Sequence, residues 1–268
     1  MNVLESNFHP ILAKSRKRIP SNYYLYLQYI FSMKKHIFSL LFLLLTEGAA
    51  IAQKPFEGTI KFTFKIMGEA AQQLEAFMPT GSNHSIKGSD YLIQTEGGMI
   101  KSMLGDVLIK GGEGATYMIK ENDKIAYKFT DEDNDGQDSP AKPVVTVEDE
   151  ILEIAGFKCK KYKVELDSPQ GPLTIFVWAT NDLKAPAIPK KAGGMGSSSS
   201  VFMEGVDGII LKKMTSISQM GMSFTTIETA NEVKAVKMSK KLFKVPGGYA
   251  VKPGKELMDK LGSMGGGM

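Results

Sequence analysis

Residues 151–180 constrain the fold more than any other stretch, because they predict two strands joined by a short loop. The first strand, 157–166, carries alternating apolar residues whose phase shifts by one after Lys161, which predicts a β-bulge. The loop, 167–172, is dense in turn-forming residues. The second strand, 173–180, is apolar on both faces, which is typical of a strand covered on both sides. We therefore expect this hairpin at the centre of one antiparallel sheet.

The remaining pattern adds strands to this hairpin and offers one clear helix. Alternation of period two predicts about nine or ten strands, whereas residues 68–78 carry apolar residues at helical spacing and end at Pro79. The glycine-interrupted stretch 97–112 is interpreted as short strands. The predicted fold class is mainly β (α+β), a curled antiparallel sheet or half-barrel with one or two short helices across its open face. The further predicted strands are 57–66, 90–95, 115–120, 124–130, 144–147, 206–218, 222–230 and 232–238.

The N-terminal region predicts export. A basic start at Met33, an uncharged apolar run over 37–45 and the end Ala50-Ile51-Ala52 are typical of a signal peptide over 33–52, cleaved before Gln53. An uncleaved N-terminal anchor is the alternative. The expected location is the periplasm or cell envelope. The chain then divides into 1–32, an upstream-start artefact or disordered segment; 33–52, the signal peptide; 53–252, a single sheet domain; and 253–268, a short helical turn with a flexible Gly/Met tail.

The charge pattern argues against nucleic acid as a partner. Of 33 basic and 29 acidic residues, six and two lie in residues 1–52, which leaves 27 of each sign in the remainder. No arginine follows Arg18, and arginine is the usual residue for bidentate phosphate and guanine contacts. The one cysteine, Cys159, cannot form an internal disulfide and alternates with apolar residues, so we expect it to be buried.

Few residues suggest chemistry. Asp131, Asp133 and Asp135 match the first half of a calcium loop, but Lys142 stands where a bidentate glutamate is needed, so a solvated acidic turn is the main interpretation and calcium the weak alternative. His84 lies in a predicted turn, 79–84, and no nucleophile, phosphate-loop or zinc motif accompanies it. We predict no catalytic residue, no metal site and no cofactor.

Four segments carry a resemblance to a known family. They are Phe56-Glu57-Gly58, Ile-Ala-Gly-Phe-Lys-Cys-Lys-Lys-Tyr at 154–162, Ile-Phe-Val-Trp-Ala-Thr at 175–180, and Leu-Phe-Lys-Val-Pro-Gly-Gly-Tyr at 242–249. Their order and spacing resemble the secreted and envelope proteins grouped as domain of unknown function 4412. Those proteins are similar in turn to the periplasmic lipoprotein carriers of the LolA/LolB type. The resemblance implies a half-barrel around an apolar cavity, and it implies no active-site residues.

We therefore expect a non-enzymatic envelope protein that binds an apolar ligand, either a lipid acyl chain or a lipoprotein segment. A membrane would be met only through an uncleaved leader or in transient contact, and the oligomeric state is left open. The first alternative is an interaction or scaffold module with a filled core and an exposed apolar patch at an edge strand. The second is a hydrolase, which would need a pocket holding His84 near a carboxylate and Ser, Thr or Cys159. The expected apolar lining is Phe62, Phe64, Tyr127, Phe129, Phe176 and Trp178.

Overall fold

Twelve strands form one open, curled sheet, which confirms the predicted mainly β fold class. The computed structural model describes residues 54–130, 142–168, 171–186, 201–219 and 222–265, all within the compact unit Gln53–Met268. The strands are β1 Gly58–Gly68, β2 Gly81–Lys87, β3 Asp90–Glu96, β4 Asp106–Lys110, β5 Ala115–Lys120, β6 Ile125–Phe129, β7 Val144–Ile154, β8 Phe157–Ser168, β9 Gly171–Thr180, β10 Ile209–Gln219, β11 Met222–Ala235 and β12 Ala250–Pro253. The helices are α1 Ala71–Leu74, α2 Gly98–Leu104 and α3 Gly254–Gly265, with 3-10 turns at Gly111–Glu113 and Lys240–Phe243.

The first strand lies in the middle of the sheet and joins two halves. The strand order is β12-β6-β5-β4-β3-β2-β1-β11-β10-β9-β8-β7. β1 therefore pairs with β2 on one side and with β11, from the far end of the sequence, on the other. Every pairing among the described strands is antiparallel except that of β12 with β6, so the predicted antiparallel sheet has one parallel pair at its edge.

The β8–β9 hairpin forms as predicted, but it lies next to the edge strand β7 and not at the centre of the sheet, and the bulge does not lie in β8. β8 pairs with β9 in unbroken register, and the irregularity falls in its other neighbour, β7, between Val147 and Ile151. The apolar phase of β8 shifts because its two ends are buried on opposite faces of the sheet. Cys159 joins one apolar cluster, whereas Tyr162 and Val164 join another on the other face.

Three local predictions differ from the structure. Residues 98–104 form α2, not a strand, and the loop before it turns at Gly97 and Gly98, both with φ of 69°. The helix predicted over 68–78 keeps only four residues as α1. His84 lies inside β2, a strand that the polar sequence Gly-Ser-Asn-His-Ser concealed, because its polar side chains face the core instead of water.

Apolar side chains cover both faces of the sheet. The cluster on the inner face, here called the central core, joins β1–β4 to β8–β11. A second cluster around Phe243 covers the opposite face of β3–β6, and a third around Val164 covers that of β8–β10. The central core consists of Phe56, Ile60, Phe62, Ile86, Tyr91, Ile93, Ile109, Ile154, Cys159, Trp178, Val201, Ile209, Leu211 and Ala230.

The C-terminal segment closes one edge of the sheet. α3 runs for 12 residues, longer than the single turn predicted, because Leu257 and Leu261 repeat at four-residue spacing and pack against Met118 and Tyr127. Across the described ranges, no helix has the length and apolar character needed to span a membrane.

Candidate functional site

The six aromatic side chains predicted to line a hollow do not share one. Three pack in the central core, two pack beneath α3, and one borders a groove beside β1. The first two groups are filler between packed elements, so the inner face at these positions is occupied by protein. In that order the residues are Phe62, Phe176 and Trp178; Tyr127 and Phe129; and Phe64.

Trp178 is an example of an aromatic side chain that has both hydrogen-bond and cation–π partners within the fold. Its indole N–H donates to Glu150 Oε1 at 3.0 Å, and the Lys212 ammonium lies 4.4 Å from the ring centroid. The ammonium of Lys161 lies 5.3 Å from the same ring and pairs with Glu148 and Glu150 at 2.9 Å each. Because both ends of the side chain have partners within the fold, Trp178 is a structural residue.

An open groove lies between β1 and α1. Its volume is about 460 Å³, which lies within the ~300–1,000 Å³ of typical ligand pockets. The groove exists because β2 leaves β1 early: Pro79 has no N–H to continue the ladder, so β2 begins only at Gly81. The lining residues are Phe64, Lys65, Ile66, Met67, Ala71, Gln72, Glu75, Met78, Pro79 and Thr80.

Exposed apolar side chains lie on the groove and on the segments that follow α1 in the chain. Met67 is 55% exposed and Phe77 46%, and on α2 Met99 is 48% exposed. Backbone hydrogen bonds from Met99 N to Ala76 O and from Ile100 N to Phe77 O, each 3.1 Å, tie α2 to the turn after α1. Neither helix buries a residue. Methionine is flexible and polarisable, so such a surface adapts to apolar guests of different shape.

The sequence carried one signal of this groove that the prediction did not use. Ile66 continues the alternation of β1, and nothing local distinguishes it from the paired residues before it. Only Pro79, opposite it, shows that the neighbouring strand cannot extend that far.

A second constellation lies inside the central core, where five polar side chains meet. Ser82 Oγ lies 2.8 Å from His84 Nε2, and the Tyr91 hydroxyl contacts Nδ1 of the same ring. Lys213 Nζ lies 2.8 Å from Glu228 Oε2. The other carboxylate oxygen, Oε1, lies 3.9 Å from His84 Nε2 and has no hydrogen-bond partner among the described residues.

Burial sets the protonation states of His84 and Tyr91. Burial, with the Lys213 charge as the smaller cause, lowers the pKa of His84 from its ordinary 6.5 to about 3, so the ring is neutral at pH 7. Burial and the Glu228 carboxylate raise the pKa of Tyr91 well above 10, against a backbone hydrogen bond with Val201. Tyr91 therefore stays a neutral phenol, and its O–H donates a hydrogen bond to Nδ1. The N–H of the neutral imidazole is then at Nε2, facing Ser82.

The cluster has the residue types of a hydrolase but not the arrangement. In a catalytic triad the nucleophile and the acid bind opposite nitrogens of the histidine. Here Ser82 and Glu228 both approach Nε2, and Tyr91 occupies Nδ1. Ser82 is 3% exposed and His84 1%, and neither lines the groove. The network fits a structural role, in which paired polar groups specify how the core packs.

Within the described ranges, the remaining predicted features add no second site. Cys159 is buried, and burial with the Asp182 charge raises its thiol pKa to about 11, against a backbone hydrogen bond with Ile154. No group of three His, Cys, Asp or Glu side chains in the described ranges is placed to hold a metal ion. The weak calcium candidates Asp131, Asp133 and Asp135, like the predicted signal peptide, lie outside the described residues.

Comparison with protein-family models finds none that matches the chain, and comparison with curated proteins finds no match either.

Proposed function

We propose that this is a non-enzymatic envelope protein that binds an apolar ligand, an acyl chain or a lipoprotein segment, in the groove between β1 and α1. The single observation that carries the proposal is the groove itself, about 460 Å³ in volume and lined by Phe64, Ile66, Met67 and Met78. The site differs from the one expected from the sequence, which was the inner face of the sheet.

The surroundings of the groove support binding over simple packing. A monomeric soluble protein normally buries large apolar side chains that lie together, and contiguous exposed ones mark binding surfaces. Met67 lines the groove and is 55% exposed, and Phe77 and Met99, about half exposed, lie on the turn after α1 and on α2, which backbone hydrogen bonds hold together. The resemblance of four segments to the carrier-like envelope family, and the export signal predicted over 33–52, favour the same function and location.

Titration calorimetry with dodecanoate below its micelle concentration tests the proposal. We expect saturable binding to one site, weakened about tenfold or more by Ile66→Asp because a carboxylate in the groove must lose water to a hydrocarbon chain. Met258→Asp is the matched control, since Met258 is an exposed apolar residue on α3 away from the groove. Absence of saturable binding, or equal affinity in the Ile66→Asp variant, would overturn the proposed site.

A specific observation favours a second function, an interaction module. β7 is the last strand of the sheet, and it exposes Val144 by 62%, Val147 by 51% and Ile151 by 67%. Exposed β-branched residues along a free edge are a site for strand addition by a partner. A photo-cross-linker placed at Ile151 would capture such a partner, and one placed at Val251, on β12, would not; equal or absent cross-linking at the two positions would remove this function.

A further inference from the structure

The floor of the groove presents unpaired backbone groups as well as apolar side chains. In an antiparallel strand the N–H and C=O of one residue point to the same edge, and alternate residues point to opposite edges. Phe64 N donates to Thr80 O at 3.1 Å, so Phe64 faces the β2 side. Ile66 and Gly68, two and four residues on, face the same side, where β2 has already left.

No described backbone group takes the place of β2 at these positions. The pairing of β1 with β2 ends at Thr63 opposite Gly81, whereas its pairing with β11 continues to Gly68. The wall beyond the groove is α1, whose backbone hydrogen bonds are used within its own turn: Glu75 N donates to Ala71 O at 2.9 Å. β1 is thus a strand edge open to one partner, flanked by a helix.

We propose that the groove receives an extended peptide segment, which adds a strand to the free edge of β1 at Ile66 and Gly68. This inference rests on the proposed function and narrows its ligand from an acyl chain to a polypeptide. Strand addition supplies affinity through main-chain hydrogen bonds and selects side chains by their alternation between the two faces. An acyl chain fills apolar volume but leaves the N–H and C=O of Ile66 without a partner.

The charges of the groove favour the peptide as well. Lys65 and Glu75 both line it, and within the described part of the chain neither forms an ion pair. A hydrocarbon chain offers nothing to either charge. A segment of about four residues spans the free edge at ~3.3 Å per residue. One acidic and one basic side chain on such a segment would complement Lys65 and Glu75.

The test begins with selection of random heptapeptides, displayed on phage, against the full chain. The most enriched peptide is synthesised, and its affinity is measured by fluorescence anisotropy after N-methylation of each backbone nitrogen in turn. We expect methylation to weaken binding about tenfold at every second residue, those whose N–H faces β1, and to change it little at the residues between. Equal effects at all positions would overturn strand addition, because binding through side chains alone has no such alternation.

Two variants on α1 locate the binding site. Ala71 lines the groove, so Ala71→Trp should abolish peptide binding by filling it. Gln73 is exposed on the same short helix outside the lining, so Gln73→Trp is the matched control and should bind normally. Bound peptide should also slow amide hydrogen exchange at Ile66 and Gly68. If every selected peptide still binds the Ala71→Trp variant, the inference is refuted.

Dodecanoate separates this inference from the function on which it rests. If dodecanoate binds the wild type but not the Ala71→Trp variant, and no peptide requires the groove, the apolar site is supported and strand addition is refuted. If neither dodecanoate nor any peptide requires the groove, both fail. Displacement of the selected peptide by dodecanoate, together with alternating N-methyl sensitivity, is the result expected of one shared groove.

Discussion

Mild acid should destabilise this fold through one side chain, His84. It is the only histidine among the described residues, and burial holds its pKa at about 3 in the folded protein, against an ordinary 6.5. Between these values the unfolded chain takes up a proton at this position and the folded chain does not. The stabilisation is therefore complete above pH 6.5 and is lost as the pH falls towards 3.

The size of the effect follows from the shift. Each pH unit inside the window costs about 1.36 kcal/mol, so the free energy of unfolding should fall by about 2 kcal/mol between pH 6.5 and 5, and by about 5 kcal/mol over the whole window. Total stability is usually ~5–15 kcal/mol, so the loss is large. Pairing with lysines lowers the pKa of Glu57, Glu150 and Glu232 from the ordinary 4.5, so their contribution changes mainly below pH 5 and the interval from pH 6.5 to 5 reports His84.

Urea unfolding at pH 7, 6 and 5 measures the effect, with His84→Gln as the matched variant. The glutamine amide can accept from Tyr91 and donate to Ser82, but it takes up no proton. We expect the wild-type free energy of unfolding to fall by about 2 kcal/mol between pH 6.5 and 5, and the variant to lose much less. The same slope in both proteins, or a flat wild type, would refute the assignment of His84 as a neutral buried base.

Three further predictions concern buried groups. Lys213→Met should cost about 3–5 kcal/mol of unfolding free energy, because it leaves the Glu228 carboxylate buried without its cation. Adding Glu228→Gln should recover part of that loss. An equal loss in the double variant would contradict the pairing of Lys213 with Glu228. Tyr91→Phe should cost about 1–3 kcal/mol by urea unfolding, since it removes the donor to His84 Nδ1, and a neutral result would mean that the hydrogen bond is absent. Cys159, with a pKa of about 11, should resist iodoacetamide at pH 8 until urea unfolds the chain, so fast labelling of the native protein would show that the thiol is accessible.

The strands that could be predicted are those whose burial is decided locally. β1 alternates strictly up to Ile66, the β5–β6 hairpin consists of two apolar-rich runs around a polar turn, and β9 is apolar on both sides, so each appears in the sequence at nearly its observed bounds. β2 could not be predicted in this way, because Ser82 and His84 are buried through hydrogen bonds to each other and to Tyr91, on a different strand. A polar residue at such a position indicates a hydrogen-bond partner inside the protein, not exposure to water.

The site depended even more on contacts distant in sequence. The aromatic residues were correctly assigned to strands, but their strands meet the core at different places, so Phe64 alone reaches the groove. The phase shift in β8 shows the same limit. Alternation specifies that neighbouring residues face opposite ways, whereas only the elements above and below decide which of Cys159 and Tyr162 faces which cluster.

The central position of β1 has a consequence for the order in which the molecule can assemble. Its partner β11 lies so late in the chain that the hydrogen bond from Thr63 Oγ1 to Thr229 O joins positions 166 residues apart. Closing so large a loop is entropically costly and makes folding slow. Until the residues up to Ala235 have been synthesised, one edge of β1 in the first half-sheet has no partner strand. A chain that ends before Met222 lacks β11 and would leave that edge of β1 unpaired, so it should be prone to aggregate there.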